Sequence, residues 1–256
     1  MESKDEGMVV LQESGNKNRE WVSENQTKPN LVVEGIGIKI ELEQYPTGAH
    51  IASRMLYTAE NSFEDISGKV VADFGCGCGT LGLAATLLDA DFVFDSHVIG
   101  VDMDEDSLEI ATINADDLEA EMELIQCQIN NLKWRGQIVD TVVMNPPFGT
   151  RNKGADMEFL SVALKVASQA VYSLHKTTTR EHIKRAALRD YNAASAEVIC
   201  ELRYDLPKLY KFHKKKDVDI AVDLWRLAVM SFCAELLVLL HIFRVRKSLK
   251  FSSKCN

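Results

Sequence analysis

Short apolar runs alternate with amphipathic segments over most of this chain. Runs of strand length and Val/Ile/Leu content occupy residues 69–74, 97–101, 123–127, 137–144, 171–174, 196–203 and 218–225. Apolar residues at helical spacing predict helices over 49–59, from residue 80 through Leu88, and over 104–118, 155–170 and 179–191. This alternation predicts an α/β fold with a doubly wound, mainly parallel sheet. The final strands are joined by a loop rather than a helix, so we expect the last strand to be antiparallel.

Two of the predicted helices indicate which side faces the sheet. In the first helix the inward stripe consists of Ile51, Met55 and Leu56. In the helix over 104–118 the residues expected to point largely inward are Leu108, Ala111, Ile113, Ala115 and Leu118.

The two ends of the chain do not share this pattern. Residues 1–30 are polar and predicted to be mostly disordered, and residues 31–42 read as an uncertain strand or helix fragment. Residues 227–243 form an apolar run whose only formal charge is Glu235, which is too short and too costly for a membrane span. We therefore predict a poorly ordered extension (1–40), one domain (41–227) and an atypical tail (228–256). Truncation after Arg226 or a few residues later is expected to preserve folding.

Composition narrows the function classes. The chain has 256 residues, 46% hydrophobic and 26% charged, with a net charge of −9, so contact with nucleic acid requires a local basic patch. Six cysteines without framework spacing, and no secretory signal, indicate a reducing intracellular compartment, the cytoplasm or the nucleus. Cys76 and Cys78 lack a partner pair at zinc spacing, so we expect no metal site.

A glycine-rich loop follows the first strand of the predicted sheet. The sequence Asp73-Phe74-Gly75-Cys76-Gly77-Cys78-Gly79-Thr80 leads directly into a helix, and Asp102 ends the next strand. The glycines let backbone approach a ligand closely, and an acid at the end of the second strand can bind ribose hydroxyls. Two acids with this spacing favour S-adenosylmethionine, which is cationic and carries no phosphate, over a dinucleotide.

The candidate catalytic residues are Asn145, Pro146, Pro147 and Phe148, at the end of an apolar run. The prolines end the strand and stiffen the turn. The Asn amide and a carbonyl before proline can accept the hydrogens of a conjugated amine, and Phe148 offers a face for a flat ring. The alternative is a proline-rich turn without chemistry.

A lysine-rich loop (residues 206–216) is the candidate RNA-binding segment. Basic and aromatic residues alternate in it, as phosphates and unstacked bases require. Its candidate RNA-binding residues are Lys208, Lys211, Phe212, His213, Lys214, Lys215 and Lys216. Thr177, Thr178, Arg180, Lys184 and Arg185 could extend the patch. The alternative is a solvated hairpin loop.

Several of these motifs resemble the methyltransferase-like protein 5 family, with the plant members most similar. The resemblance covers residues 41–226. Its motifs are residues 44–47 (Gln-Tyr-Pro-Thr), 73–79, 145–150, 172–176, 201–207 and 211–216. It implies a class I, Rossmann-like, S-adenosylmethionine-dependent enzyme that N6-methylates an adenosine of small-subunit ribosomal RNA. It also implies a heterodimer with a small zinc-binding methyltransferase activator protein.

The resemblance assigns site residues one by one. It puts Gln44, Thr47, Gly75, Cys78, Thr80 and Asp102 at the cofactor, and residues 145–148 around the adenine. The glycine loop adds Asp73, Gly77 and Gly79 to the cofactor site. The family commonly has Asp after the Gln-Cys pair near the cofactor adenine, where this chain has Gln128, which can still accept one hydrogen bond. Residues 91–97 look like a short insertion.

Two other functions remain open at this point. A methyltransferase acting on the side-chain amide of a protein glutamine also uses Asn-Pro-Pro followed by an aromatic residue. A catalytically silent RNA- or protein-binding subunit is favoured only by Gln128 and by the altered ends. The basic aromatic loop favours RNA as the substrate.

Overall fold

The computed structural model describes residues 8–12, 20–24, 47–89, 97–133, 135–149, 152–206 and 218–230. The described helices are α1 (Ala49–Phe63), α2 (Thr80–Asp89), α3 (Glu105–Asp117), α4 (Ala155–Val166) and α5 (Arg180–Arg189). Short 3₁₀ turns occupy Ile129–Asn131 and Thr177–Thr179. The described strands are β1 (Met8–Gln12), β2 (Glu20–Glu24), β3 (Val70–Phe74), β4 (His97–Asp102), β5 (Glu123–Gln126), β6 (Val139–Met144), β7 (Ala167–Lys176), β8 (Ala193–Leu206) and β9 (Val218–Val229).

A seven-stranded sheet forms the centre of the fold, in the order β5-β4-β3-β6-β7-β9-β8. Strands β3 to β7 are parallel, and β9 is antiparallel to both of its neighbours. The predicted doubly wound, mostly parallel sheet with an antiparallel last strand is therefore confirmed. The parallel strands end together at one edge, called here the carboxyl edge, where ligands bind in open α/β sheets. Because β8 runs parallel to β7, it also ends at this edge.

Helices cover both faces of the sheet. Alternate residues of each strand point to opposite faces, so Val143 packs in one apolar cluster while Val142 and Met144 pack in the other. The first cluster includes residues of α1 and α2, and the second includes residues of α4 and α5. The predicted inward stripe of α1 is confirmed, because Ile51, Met55 and Leu56 are all buried.

A buried carboxylate fastens the C-terminal end of α1 to the sheet. Asp65, which is 0% exposed, accepts hydrogen bonds from Tyr172 Oη (2.6 Å), Arg226 Nε (2.8 Å) and Gln169 Nε2 (2.7 Å). Burial, followed by the hydrogen bond to Asp65, raises the pKa of Tyr172 well above its usual range, so Tyr172 remains a donor. This network fixes α1, and with it Thr47 just before the helix, relative to β7 and β9.

The helix predicted over 155–170 is too long. Helix α4 ends at Val166, and Ala167 is already extended and starts β7, which we had predicted only over 171–174. Residues 167–170 read as helical because alanine and glutamine favour helix, but Ala167 pairs with Val139 and Ala170 with Thr141 of β6. Strand pairing overrides the local pattern.

The inward face of α3 also differs from the prediction. Ile113 is 52% exposed, whereas Asn114 is 1% exposed. Asn114 lies three residues after the buried Ala111, so helical geometry turns it inward and turns Ile113 outward. Leu108, Ala111 and Ala115 are buried as predicted, and Leu118 is partly buried.

The two ends differ from the predictions where the structure describes them. Strands β1 and β2 form an antiparallel pair, so residues 8–12 and 20–24 are not disordered as predicted; both strands contain valine, which favours extended backbone. Strand β9 continues to Val229 and buries Leu227, so the predicted boundary at 227 falls inside a strand. Residues 31–42 and 231–256 lie outside the described residues. No helix in the described ranges is long and apolar enough to cross a membrane.

Candidate active site

The glycine-rich loop connects β3 to α2 at the carboxyl edge. Its backbone N–H groups are already used: Gly75 and Cys76 donate to Val101 O (2.8 and 3.2 Å), Gly77 donates to Asp102 Oδ2 (2.9 Å), and Gly79 donates to Cys76 O (2.8 Å). These four groups are therefore not available to cradle a phosphate. The loop is better suited to a ligand without phosphates.

Gly77 is the point at which the loop leaves room for a ligand. Its φ is +54°, which L side chains rarely adopt, and a Cβ built there meets no described atom within 4 Å. By contrast, the side chains of Cys78 and Thr80 are 3% exposed and contact each other (Sγ to Oγ1, 3.2 Å). Cys78 and Thr80 can therefore reach a cofactor mainly through their backbone.

Asp73 is a buried carboxylate below the loop. It is 1% exposed, and its Oδ2 accepts from Gly82 N of α2 (2.8 Å). Its Oδ1 has no hydrogen-bond partner among the described residues. Burial, and secondarily the charge of Asp102, raises the pKa of Asp73 from 3.8 to about 7, while the Gly82 N–H opposes the rise. A buried carboxylate with so few hydrogen-bond donors is suited to binding a cationic ligand.

Asp102 ends β4 and joins the glycine loop to the start of α3. Its Oδ2 accepts from Gly77 N (2.9 Å) and its Oδ1 from Asp104 N (2.9 Å). Burial raises the pKa of Asp102, and these backbone donors partly offset the rise. A carboxylate has about four acceptor sites, so each oxygen can also accept a ribose hydroxyl.

Asn114 of α3 is a site residue that the sequence analysis missed. Its Nδ2 donates to Cys78 O (2.9 Å), which ties the helix to the glycine loop. The sequence signal that could have identified Asn114 is a polar residue at a position whose helical spacing points it toward the sheet.

Asn145 follows β6 at the carboxyl edge, as predicted. Its Nδ2 donates to Thr47 Oγ1 (3.0 Å), and Thr47 is 7% exposed just before α1. This bond holds the amide against the hydroxyl of Thr47, with the nitrogen toward Thr47 and the oxygen on the opposite side. Thr47, which the resemblance assigns to the cofactor, is therefore in direct contact with the candidate catalytic amide.

The turn after Asn145 packs against Asp156 of α4. Gly149 has a φ of +64°, and a Cβ there would lie 3.3 Å from Asp156 Oδ1, so only glycine fits comfortably. Asp156 Oδ2 in turn lies 3.7 Å from Nδ1 of the buried His175. Burial opposes the change, but the neighbouring His175 and the backbone N–H groups of residues 156 and 157 keep the pKa of Asp156 below its usual value. A charged Asp156 thus supports the turn.

Phe148 packs in the same apolar cluster as α1 and is 9% exposed. The Nζ atom of Lys176 lies 5.6 Å from the centroid of its ring. A lysine ammonium at this distance is attracted to the face of the ring.

The remaining predicted residues lie outside the described ranges, at the exposed end of β5, or in ion pairs with acids. Gln44 and the RNA-binding candidates Lys208, Lys211 and residues 212–216 lie outside the described residues. Gln128 is exposed beyond β5, and its Oε1 accepts from Asn131 Nδ2 at 3.4 Å. Arg180 donates to Asp223 (2.6 and 2.7 Å) and to Glu201 (3.2 Å), so acids already neutralise this member of the extended basic patch.

The described thiols and acids show no sign of a metal centre. Cys76, Cys78, Cys127 and Cys200 are free cysteines. Within the described ranges no group of three or more His, Cys, Asp or Glu side chains could hold a metal ion.

The residues at the carboxyl edge fit S-adenosylmethionine. A partly unpaired buried acid, open space at Gly77 and a second acid on β4 suit a cationic nucleoside, and the loop N–H groups do not suit a pyrophosphate. Together with the sheet order, these features define a class I S-adenosylmethionine-dependent methyltransferase.

Comparisons with known proteins support the same class of enzyme. A family model described as a methyltransferase domain matches residues 65–248. The rRNA N(6)-adenosine-methyltransferase METTL5 of Danio rerio is 52% identical over 191 residues, covering 73% of this chain and 89% of the relative. Mettl5 of Drosophila melanogaster is 46% identical over 198 residues, covering 75% and 88%. The crystal structure of PH1948 from Pyrococcus horikoshii superposes with a TM-score of 0.62 at 32% identity, covering 75% and 88%. The chain belongs to the METTL5 family of methyltransferases, which confirms the predicted family, fold class and cofactor.

Proposed function

We propose that this chain transfers a methyl group from S-adenosylmethionine to N6 of an adenosine in small-subunit ribosomal RNA. The observation that carries the proposal is the anchored amide of Asn145 at the carboxyl edge. The names of the two curated relatives support ribosomal RNA as the substrate. These names do not favour methylation of a protein glutamine or a catalytically silent binding subunit.

In this proposal Asn145 and Pro146 act on the target amine. The Nδ2 of Asn145 is held by Thr47, which leaves Oδ1 to accept one amine hydrogen of adenine. The carbonyl of Pro146, before Pro147, accepts the other. Two acceptors draw the amine toward tetrahedral geometry and make its lone pair available for attack. Phe148 then provides the apolar surface against which the purine lies.

The cofactor occupies the neighbouring end of the sheet. When bound, S-adenosylmethionine supplies an electrophilic methyl group on a sulfonium sulfur. Asp73 compensates its positive charge, Asp102 accepts from the ribose hydroxyls, and the loop at Gly75, Gly77 and Gly79 allows close approach. Gln44, Thr47, Cys78, Thr80 and Gln128 complete the proposed cofactor site.

The lysine-rich loop and a partner complete the proposal. Residues 208 and 211–216 bind RNA, which places the enzyme inside the cell, in the cytoplasm or the nucleus. The resemblance to the family supports a heterodimer with a small zinc-binding activator protein. Co-expression with such a protein should raise the yield and the melting temperature of this chain.

The decisive experiment is tritiated-methyl transfer to isolated small ribosomal subunits, with and without the activator. Label should appear in RNA and be recovered as N6-methyladenosine after nuclease digestion, and Asn145→Ala should abolish it. Label in the protein fraction instead would support glutamine methylation and reject the proposal.

A further inference from the structure

Lys176 is the last residue of β7 and lies beside the candidate catalytic turn. Strands β6 and β7 pair in parallel as far as Met144 and Ser173, so the residues that follow on both strands lie next to each other at the carboxyl edge. Lys176 has the same parity along β7 as Leu174, which belongs to the cluster that contains Phe148. This arrangement explains how its Nζ comes within 5.6 Å of the Phe148 ring centroid.

On its other side, Lys176 adjoins the base of a projecting β ribbon. Strand β9 pairs with β7 only up to the position where Val222 faces Lys176. Beyond this position β9 pairs only with β8, through four residue pairs between residues 203–206 of β8 and residues 218–221 of β9. At about 3.4 Å per residue this ribbon extends roughly 13 Å past the end of β7. The lysine-rich loop connects the two strands at its far end.

The charges at this edge favour an anion beside Lys176. Asp73, next to the last residue of β3, and Asp102, the last residue of β4, lie on the proposed cofactor side of β6 and would repel a phosphate. On the other side, Arg180 is already paired with Asp223 and Glu201. Among the described residues no carboxylate forms an ion pair with Lys176, whose recorded contact is the ring of Phe148. A cation–π contact at a partly exposed site is weak, and a lysine has a long flexible stem.

We propose that Lys176 binds a backbone phosphate of the RNA next to the target adenosine. This inference rests on the proposed function. It makes Lys176 a substrate-binding residue, with its aliphatic stem beside Phe148 and its ammonium on the RNA backbone. The strand then runs along the carboxyl edge from β6 over β7 toward the β8–β9 ribbon.

The test separates the charge of Lys176 from its packing. Lys176→Met keeps an aliphatic stem near Phe148 and removes the charge, whereas Lys176→Arg keeps the charge. Lys165→Met is the matched control, because Lys165 is exposed in the last turn of α4, at the opposite edge of the sheet. Each full-length variant is titrated with a fluorescein-labelled single-stranded oligoribonucleotide containing adenosine, over a range of salt concentrations.

For Lys176→Met we expect the log–log salt slope to fall by about 0.7, which corresponds to roughly fivefold weaker binding near 0.1 M salt. The KM for RNA should rise, with little change in the affinity for S-adenosylmethionine. Lys176→Arg should retain the wild-type salt slope, because it keeps the charge, and Lys165→Met should behave like the wild type.

Two results would overturn the inference. One is a wild-type salt slope and KM in Lys176→Met. The other is a fall in kcat without a change in slope, which would mean that Lys176 only supports the Phe148 ring. Failure of the proposed function is a separate outcome, because it would appear as a wild-type enzyme that does not methylate RNA.

Discussion

We expect the buried carboxylate of Asp73 to make cofactor binding depend on pH near neutrality. Its pKa is raised from 3.8 to about 7, mainly by burial. Protonation of Asp73 therefore stabilises the folded, cofactor-free protein. This stabilisation grows as the pH falls through 7 and is lost as the pH rises. The free energy of unfolding differs by on the order of 4 kcal/mol between pH values well below 3.8 and well above 7, at 1.36 kcal/mol per pKa unit. A cationic cofactor beside Asp73 stabilises the ionised form, so binding below pH 7 must release a proton.

The expected effect on affinity follows from this linkage. If Asp73 is ionised in the complex, the dissociation constant for S-adenosylmethionine should be about tenfold higher at pH 6 than at pH 8. Isothermal titration calorimetry over this range, in buffers of different ionisation enthalpy, measures both the affinity and the protons released. Just below pH 7 the release should exceed half a proton per cofactor bound.

Asp73→Asn is the control for this pH dependence. The amide oxygen of Asn can still accept from Gly82 N, but the side chain no longer titrates. Any pH dependence that remains in this variant belongs to Asp102 or to the ammonium of the cofactor. The reasoning is refuted if wild type and Asp73→Asn show the same change in affinity between pH 6 and pH 8.

Three further predictions concern the amide, a glycine of β4 and the domain end. Thr47→Val should lower kcat by roughly 10-fold or more, because it removes the acceptor that orients Asn145; single-turnover methylation with saturating cofactor measures this, and an unchanged rate would contradict it. Gly100→Ala should destabilise the fold by about 1–3 kcal/mol, because its Cβ would overlap the Met122 side chain and lie 3.0 Å from Cys76 Sγ. Urea unfolding measures the loss, and Gly100→Ala combined with Met122→Ala should recover part of it; no recovery would mean that Met122 is not the obstacle. Truncation after Met230 should preserve a cooperative melt, whereas truncation after Arg226 should not, because the latter removes the buried Leu227. Equal melting temperatures for the two truncations would mean that residues 227–230 do not contribute to the stability of the core.

Local signals were strong enough to predict the strand-and-glycine-loop unit, the alternation of helices and strands, and the Asn-Pro-Pro-Phe turn. Each of these depends on residues that are close in sequence: Pro cannot continue a strand ladder, and glycines follow directly after Phe74. The inward stripe of α1 also follows from spacing alone. The same local signals carried the resemblance to the family, and hence the fold class and the cofactor.

Tertiary structure decided what local preference leaves undetermined. Residues 167–170 became part of β7 because β6 offered backbone partners, although the alanines and Gln169 favour helix locally. The order of the strands brought Lys176 between the catalytic turn and the β8–β9 ribbon. The contact between Asn145 and Thr47 joins residues 98 positions apart, and the raised pKa of Asp73 depends on burial under α2. Distances and desolvation of this kind arise only when the chain is packed, so the sequence alone could name these residues but not the contacts that give them their roles.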